Sequence, residues 1–222
     1  GVSMAIEQGG ITAPGRMAEA VRREVMLSPG EGLTPAVLEA FLESMPDRYL
    51  LAHSVRAILD HARFSAEAAD REVAIRISTG PIENTYAIQV ETDDRPGLLA
   101  DLAAVLAGHR FVVADAEIYT RRVGDRVRAF DVFVVTRQGE QGAVLEPAFA
   151  ERLERDVTRL LAGEATPDQF LKMNPGAPSW ARRRPDVPTE IVVDNEASSR
   201  FTVIDVFTKD RPRLLHDIAR TL

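Results

Sequence analysis

A short phrase of charged and small residues occurs twice in the sequence, and its composition suits the binding of an anion. The first copy is residues 93–106, DDRPGLLADLAAVL, and the second is residues 209–222, KDRPRLLHDIARTL. In each copy an alternating apolar pattern, typical of a strand, precedes Asp-Arg-Pro, and leucines at helical spacing follow it. The phrase therefore predicts a loop that connects a strand to a helix.

Such a loop presents the first turn of a helix to whatever binds there. The N–H groups of that turn have no partners within the helix, and the helix dipole helps them to hold a carboxylate or another anion. Pro96 would preset the backbone at the helix entrance, and Gly97 would let a ligand approach the backbone closely. The alternative is that Asp94 and Asp210 merely cap their helices. Residue chemistry alone favours neither interpretation, whereas the leucines are predicted to lie in the core.

A metal site is the first alternative chemistry to weigh. His216 and Asp217 form a His-Asp pair, which occurs in some metal sites. In the repeat this pair corresponds to Ala100 and Asp101, so it lies in the helix after the loop. No second cluster of His or Asp supports a set of ligands. The sequence therefore predicts no metal site.

Acid–base or nucleophilic catalysis is the second alternative. His53, His61 and His109 are scattered in the sequence, without the serine and carboxylate pattern of a hydrolytic triad. Asp93 and Asp94 are adjacent at a strand end, where neighbouring side chains usually point apart. We therefore predict no catalytic centre.

Composition narrows the class of protein further. The chain has 222 residues, a formal net charge of -7 and no cysteine. The negative charge argues against a nucleic-acid partner, and the lack of cysteine excludes disulfides, thiolate nucleophiles and Cys-ligated zinc. No apolar run approaches the roughly 20 residues that span a bilayer, and the first ten residues lack the features of a signal peptide. We expect a cytoplasmic protein with no membrane partner and no cofactor.

The elements around the first phrase follow from the period of the apolar residues. Residues 1–33 are predicted to be partly helical or flexible. Residues 34–66 are predicted to form a helical connector, with Thr34 and Ser54 as N-caps. Residues 71–163 follow the order strand, strand, helix, strand, strand, helix, which predicts an α+β domain with both helices on one face of a four-stranded sheet.

The second phrase belongs to a partial repeat of that domain. Residues 164–187 are rich in Pro and Arg, the composition of an extended linker. Residues 188–222 then restart the order strand, strand, helix. The offset is 116 residues, from Asp94 to Asp210, and it also aligns Leu98 with Leu214.

These features resemble a known family. The loop DRPGLL, followed by VVADAEIYT and AFDVFVV, resembles the ACT domain, a ferredoxin-like regulatory module that binds amino acids. Two such units, preceded by LEAFLESMPDRYLLAHSVRAILDHARF, resemble the C-terminal part of the bifunctional PII uridylyltransferase/uridylyl-removing enzymes. The ACT resemblance covers residues 71–163 and 188–222, and the helical match covers residues 34–64.

The resemblance implies a regulatory function. In that family the enzyme uses UTP and a divalent metal to add UMP to the PII signal protein, a hydrolase domain removes it, and glutamine binding to the ACT pair switches between the two. The nucleotidyltransferase and hydrolase motifs are absent from this sequence, so we expect no enzyme activity from these residues. The sequence leaves open an ACT module of a different metabolic protein that senses another amino acid.

The resemblance also implies which residues bind the amino acid. They are the loop residues Asp94, Arg95, Pro96, Gly97, Leu98 and Leu99, with Asp115 and Ala116 on the next strand as neighbours. The corresponding residues of the second loop are Asp210, Arg211, Pro212, Arg213 and Leu214. Because Arg213 stands where the first loop has Gly97, the loops are not expected to be equivalent, and the first is favoured.

The second unit is expected to need a partner. Two strands and one helix in roughly 35 residues lie below the size at which a domain usually folds alone. It would pack on the first unit, be completed by another chain, or belong to a longer protein. We expect self-association through the sheets, because ACT sheets often pair side by side.

Overall fold

The computed structural model describes residues 13–28, 32–138, 147–174, 190–194, 203–207 and 214–221. The helices are α1 Ala13–Leu27, α2 Pro35–Ser44, α3 Asp47–Ala52, α4 Val55–Glu67, α5 Leu98–Gly108, α6 Pro147–Leu161, α7 Pro167–Met173 and α8 Leu214–Ala219. The strands are β1 Val73–Thr79, β2 Tyr86–Asp93, β3 Phe111–Val123, β4 Arg126–Arg137, β5 Glu190–Asp194 and β6 Val203–Phe207. The fold is α+β. No helix in these ranges is both long and apolar enough to cross a membrane.

The main sheet has four antiparallel strands in the order β1-β2-β4-β3. Strands β3 and β4 form a long hairpin whose turn is Gly124 and Asp125, and pairing continues to Val123 and Arg126 at the tip. The hairpin register shifts between Val113 and Asp115, the mark of a β-bulge. The hairpin is long, so β3 runs alongside the whole of α5. Phe111 lies near the end of the helix, and Thr120 lies near its start.

Helices α5 and α6 cover one face of the sheet, as the apolar periods predict. The alternating residues Ala129, Phe133 and Val135 of β4 point to this face and join its core. Leu102 and Val105 of α5 are fully buried against them. Every second residue of β4 and the residues on one side of α5 are thus buried in the same core.

Helices α1 to α4 cover the opposite face of the sheet. Phe130 of β4 packs edge-on against Phe41 and Phe64, with ring centroids 5.8 and 6.2 Å apart. Thr34 and Ser54 cap α2 and α4 by accepting hydrogen bonds from N–H groups of the first turn, as predicted. The sequence predicts these helices but not their docking on the sheet, which leaves β4 buried on both faces.

Two short helices differ from the sequence-based expectation. Helix α3 was not predicted between α2 and α4. Helix α7 lies within residues 164–187, where an extended linker was predicted, and that prediction is wrong for residues 164–174. Thr166 and Gln169 form a reciprocal capping box at the start of α7. Phe170 is buried in the core beside α5, so apolar burial fixes this segment.

The C-terminal elements pack on the main domain through one helix. Strands β5 and β6 form an antiparallel pair, and α8 then lies along α5. The side chain of Leu215 packs against the core under α5. Strand, strand and helix are the elements that also begin the main sheet, in the same order.

Candidate functional site

The first repeated loop connects β2 to α5 through a left-handed residue. Gly97 is the N-cap of α5, with φ +81° and ψ −1°. A Cβ placed on Gly97 would meet no atom within 4 Å, so the backbone conformation, rather than lack of space, explains the glycine. The N–H of Leu98 donates to the carbonyl of Arg95 at 3.2 Å, and that of Asp101 to the carbonyl of Gly97 at 3.1 Å.

Asp94 does not cap α5, so the capping interpretation is wrong for the first copy. Its Oδ2 accepts a hydrogen bond from Oγ1 of Thr120 at 2.9 Å, and its N–H donates to the carbonyl of Val127. Asp94 is thus held by the β3–β4 hairpin. Pro96 precedes the N-cap Gly97, so it lies just outside the helix at its entrance.

The charged neighbours of Asp94 have their own partners. The guanidinium of Arg95 bonds to the carboxylate of Asp101 on the first turn of α5. Asp93 binds Arg126 and Arg128, and the hydrogen bond from Arg126 lowers the pKa of Asp93. Asp93 and Asp94 therefore bind different groups, as expected of adjacent residues at a strand end.

A cavity of about 220 Å³ lies under this loop, and we call it the loop cavity. The sheet contributes Thr120 and Asp131 to its wall, and α8 contributes Ala219. All of the predicted loop residues except Pro96 line it: Asp94, Arg95, Gly97, Leu98 and Leu99. The structure thus brings the first-copy loop residues together around one space.

Asp131 is the residue of the loop cavity that sequence reasoning missed. Asp131 is 1% exposed, and its Oδ1 has no hydrogen-bond partner among the described residues. Burial, and then the charge of Asp94, raises the pKa of Asp131 to about 7. The available signal was AFDVFVV, which places an acid between Ala129 and Phe133 on the apolar face of β4.

Helices α5 and α8 meet through equivalent positions of the repeat. Nδ1 of the buried His216 lies 2.9 Å from the carbonyl oxygen of Ala100, and these residues are 116 apart, the offset of the two copies. Ala219 of α8 shares the loop cavity with Leu98. Their counterparts in the repeat, Ala103 and Leu214, share a second cavity. Such reciprocity is the mark of an approximate two-fold relation.

The second cavity has a volume of about 260 Å³ and lies between α8, α5 and β3. Asp115 and Ala116, which were predicted as neighbours of the first loop, line this cavity and not the loop cavity. Their part in ligand binding stays a prediction. The residues of β3 that line the loop cavity are Ile118 and Thr120. Asp115 precedes Ile118 by three residues, which is about 10 Å along a strand. Of the second-loop residues Leu214 lines the second cavity, whereas Asp210, Arg211, Pro212 and Arg213 lie outside the described residues.

The structure brings together two histidines that are distant in sequence. His53 and His61 lie on the helical side of the sheet, with ring centroids 4.9 Å apart. Nε2 of His53 is 2.8 Å from Oε2 of Glu117, and the hydroxyl of Tyr49 is 2.8 Å from Nδ1 of His61. Burial lowers the pKa of both histidines, that of His61 to about 3. With neutral rings bonded to Tyr49 and Glu117, the group connects α3 and α4 to β3.

The remaining histidines also have structural contacts. His216 bonds to the carbonyl of Ala100, and Nε2 of His109 is 2.9 Å from Oδ2 of Asp156. Burial lowers the pKa of His109. Within the described part of the chain, no group of three or more His, Cys, Asp or Glu residues is placed to hold a metal ion.

Comparisons with known proteins give one family match and several similar proteins. The ACT domain family matches residues 86–148. The bifunctional uridylyltransferase/uridylyl-removing enzyme of Rhodospirillum rubrum is 30% identical over 204 residues, which are 90% of this chain and 21% of the relative. The protein of the same name from Gluconobacter oxydans is 29% identical over 220 residues, 97% of this chain and 23% of the relative.

A third relative gives a shorter match. The bifunctional uridylyltransferase/uridylyl-removing enzyme of Azospirillum brasilense is 34% identical over 136 residues, 61% of this chain and 14% of the relative. The chain thus spans less than a quarter of the length of the relatives it matches. It contains an ACT domain, and it belongs with the ACT-containing region of the bifunctional uridylyltransferase/uridylyl-removing enzymes.

Proposed function

We propose that the chain is the amino-acid-sensing regulatory region of a cytoplasmic PII uridylyltransferase/uridylyl-removing enzyme, and that L-glutamine binds in the loop cavity. The observation that carries the proposal is the position of this cavity. It lies between the start of α5 and the two carboxyl groups of Asp94 and Asp131. The N-terminus of a helix attracts a carboxylate, whereas carboxyl groups attract an ammonium. An amino acid carries both charges.

The size of the loop cavity supports a ligand of this class. Its volume of about 220 Å³ is below the roughly 300–1,000 Å³ of pockets for drug-sized molecules. A nucleotide would not fit without rearrangement, whereas a single amino acid is of the right order. At the helix end, the N–H groups of Leu98 and Asp101 are bonded within the loop and helix. The intervening Leu99 and Ala100 supply the N–H groups for the ligand carboxylate.

The proposal assigns β1, β2, α5, β3, β4 and α6 to a ferredoxin-like ACT domain with the order ββαββα. It assigns β5, β6 and α8 to the first half of a second ACT domain. The repeat offset and the reciprocal contacts of α5 and α8 support this assignment. Because Ala219 lines the loop cavity, a ligand there would contact both units and fix their relative position.

The regulated activities would reside elsewhere in the parent protein. Catalytic domains that use UTP and a divalent metal would modify and demodify the PII signal protein. Helices α1 to α4 would transmit the state of the ACT region, since they pack on the sheet face opposite α5. Phe130 and Asp131 are adjacent on β4, one facing these helices and the other facing the loop cavity. A shift of β4 on ligand binding would therefore move residues that contact helices α1 to α4 as well as residues that line the loop cavity.

An ACT module of a different metabolic protein, which senses an aliphatic amino acid, is the alternative. The observation that favours it is the apolar part of the cavity wall, formed by Leu98, Ile118 and Ala129. An aliphatic side chain would gain from contact with this wall. A calorimetric screen of the twenty L-amino acids distinguishes the two functions by which ligand gives heat.

Calorimetry of this chain tests the proposed function. L-glutamine is expected to bind the unsubstituted chain, and Asp94→Ala is expected to weaken binding about tenfold, as does loss of one hydrogen bond to a charged group. Asp125→Ala, at the exposed hairpin turn, is the matched control and should bind normally. Absence of heat with every amino acid would exclude the sensing function.

We also propose that the chain self-associates through sheet edges. Strands β5 and β6 pair only with each other in the described part of the chain, and a two-stranded sheet is marginally stable alone. Pairing of an open edge with another copy would satisfy its backbone groups. Light scattering over a range of concentrations should show a dimer, and a monomer at the highest concentration would exclude it.

A further inference from the structure

We infer that Asp131 is the residue that binds the ammonium group of the amino acid in the loop cavity. The inference deepens the proposed function and rests on it. The two charges of the ligand are then bound by opposite walls of the cavity. Asp131 on β4 binds the ammonium of the ligand, and the N–H groups of α5 bind its carboxylate. The class of ligand is then a small zwitterionic α-amino acid, and not a deaminated acid.

The position of Asp131 within the sheet calls for a partner. Its cross-strand neighbours are Val90 on β2 and Ile118 on β3, and both are apolar. Its side chain is 1% exposed. The carboxyl accepts a hydrogen bond from the backbone of Tyr119, but within the described part of the chain Oδ1 has no partner. A buried carboxylate without a partner is unfavourable, and buried polar groups in proteins almost always have one.

The protein's own cations do not serve Asp131. Arg95 is the one basic residue among those described that lines the loop cavity, and it bonds to Asp101. Arg126 and Arg128, the basic residues nearest to Asp131 on β4, bond to Asp93. Within the described residues, therefore, the cations of this region are held by other carboxylates. We assign the cation for Asp131 to the ligand.

Electrostatics in the loop cavity favours a cation next to Asp131. Asp94 lines the same cavity, and its charge acts on Asp131. Two carboxyl groups in one small space repel each other when both are ionised, and a cation between them removes the repulsion. A bound ammonium therefore stabilises the ionised form of both groups. A ligand without an ammonium leaves the repulsion in place.

Substitution of Asp131 by Asn tests the inference. Asp131→Asn keeps the shape of the side chain and the hydrogen bond from Tyr119, and removes the charge. The probes are L-glutamine and glutaramate, which is glutamine without its α-amino group. We expect the unsubstituted chain to bind L-glutamine at least tenfold more tightly than glutaramate. Asp131→Asn should lose at least tenfold in affinity for L-glutamine and keep its affinity for glutaramate.

A matched control and a spectroscopic measurement make the test decisive. Asp125→Asn changes an acid at the exposed hairpin turn, outside the loop cavity, and should bind L-glutamine normally. By ¹³C NMR at pH 7, L-glutamine should move the carboxyl signal of Asp131 towards that of the ionised form, whereas glutaramate should not. A purely structural role for Asp131 would not produce this difference between the two probes.

Three results would overturn the inference, and they are distinguishable. Normal L-glutamine binding by Asp131→Asn would overturn it while leaving the proposed function intact. Equal weakening of L-glutamine and glutaramate by that variant would show that Asp131 acts on the structure of the cavity and not on the ammonium. Failure of the unsubstituted chain to bind any of the twenty L-amino acids would remove the proposed function, and the inference with it.

Discussion

Nδ1 of His216 lies 2.9 Å from the carbonyl oxygen of Ala100, its own counterpart in the repeat. Equivalent residues of two units meet in this way only close to an axis that relates the units. The contact thus fixes α8 against α5 in one register. It also places Ala219 at the loop cavity, so the second unit helps to form the cavity whose loop belongs to the first.

The first prediction concerns this contact. His216→Leu fills a similar volume but leaves the carbonyl of Ala100 without its buried hydrogen-bond partner. This loss should destabilise the docking of α8 by about 1 kcal/mol. Hydrogen exchange should accelerate in α8 and at the start of α5. Arg220→Ala, an exposed change just after the same helix, is the control. Unchanged exchange in α8 would show that the His216 contact does not hold the helix.

The second prediction concerns Ala219. Because its methyl group lines the loop cavity, a larger side chain in Ala219→Leu should fill part of the about 220 Å³ available there. We expect amino-acid affinity to fall at least tenfold, with little change in Tm if the leucine enters the open space. Ala36→Leu, on an exposed position of α2, provides the same change of residue away from the cavity. Calorimetry that showed equal affinities for both variants would exclude a contribution of α8 to the site.

The third prediction separates the conformation of the loop from its binding role. Gly97 and Gly124 both have positive φ, +81° and +59°. Alanine at either position should cost about 1–2 kcal/mol, the usual penalty of the left-handed region, and lower Tm to a similar extent. Only Gly97→Ala should also weaken amino-acid binding, since Gly97 lines the loop cavity and Gly124 is at the hairpin turn. Equal amino-acid affinities of the two variants would show that Gly97 does not contribute to binding.

The features predicted from sequence are those that local chemistry decides. Thr34 and Ser54 cap their helices because the cap involves residues only three apart. The loop residues Asp94, Arg95, Gly97, Leu98 and Leu99, which line one cavity, could be grouped from sequence because they are close together in a repeated phrase. Asp131 was missed because it enters the site through strand pairing, in register with Ile118 on β3 and Val90 on β2. Sequence spacing does not specify that register.

The docking of the helical layer was missed for a related reason. Phe130 and Phe133 are both fully buried, although they point to opposite faces of β4. A strand that is apolar on both faces indicates two covering layers. The sequence contains that signal, but it does not say which helices form the second layer. Phe41 and Phe64 form it through contacts that span more than sixty residues.

The last prediction concerns the effect of pH on stability. The pKa of Asp131 is raised to about 7 in the folded protein by burial and by Asp94, whereas an unfolded Asp has a pKa of about 3.9. The folded state therefore holds this proton more tightly. The stabilisation is fully present below about pH 4 and is lost as pH rises through about 7, a change of up to about 4 kcal/mol. Asp131→Asn removes the group that titrates.

Urea unfolding at several pH values checks this effect. The free energy of unfolding of Asp131→Asn minus that of the unsubstituted chain should increase between about pH 4 and pH 7 and then level off. Ala36→Leu, an exposed change that removes no titratable group, should show a difference that does not vary with pH. L-glutamine should reduce the difference at pH 8, because its ammonium stabilises the ionised carboxylate that Asn lacks. A difference that stayed constant with pH would show that Asp131 ionises as readily in the folded as in the unfolded chain.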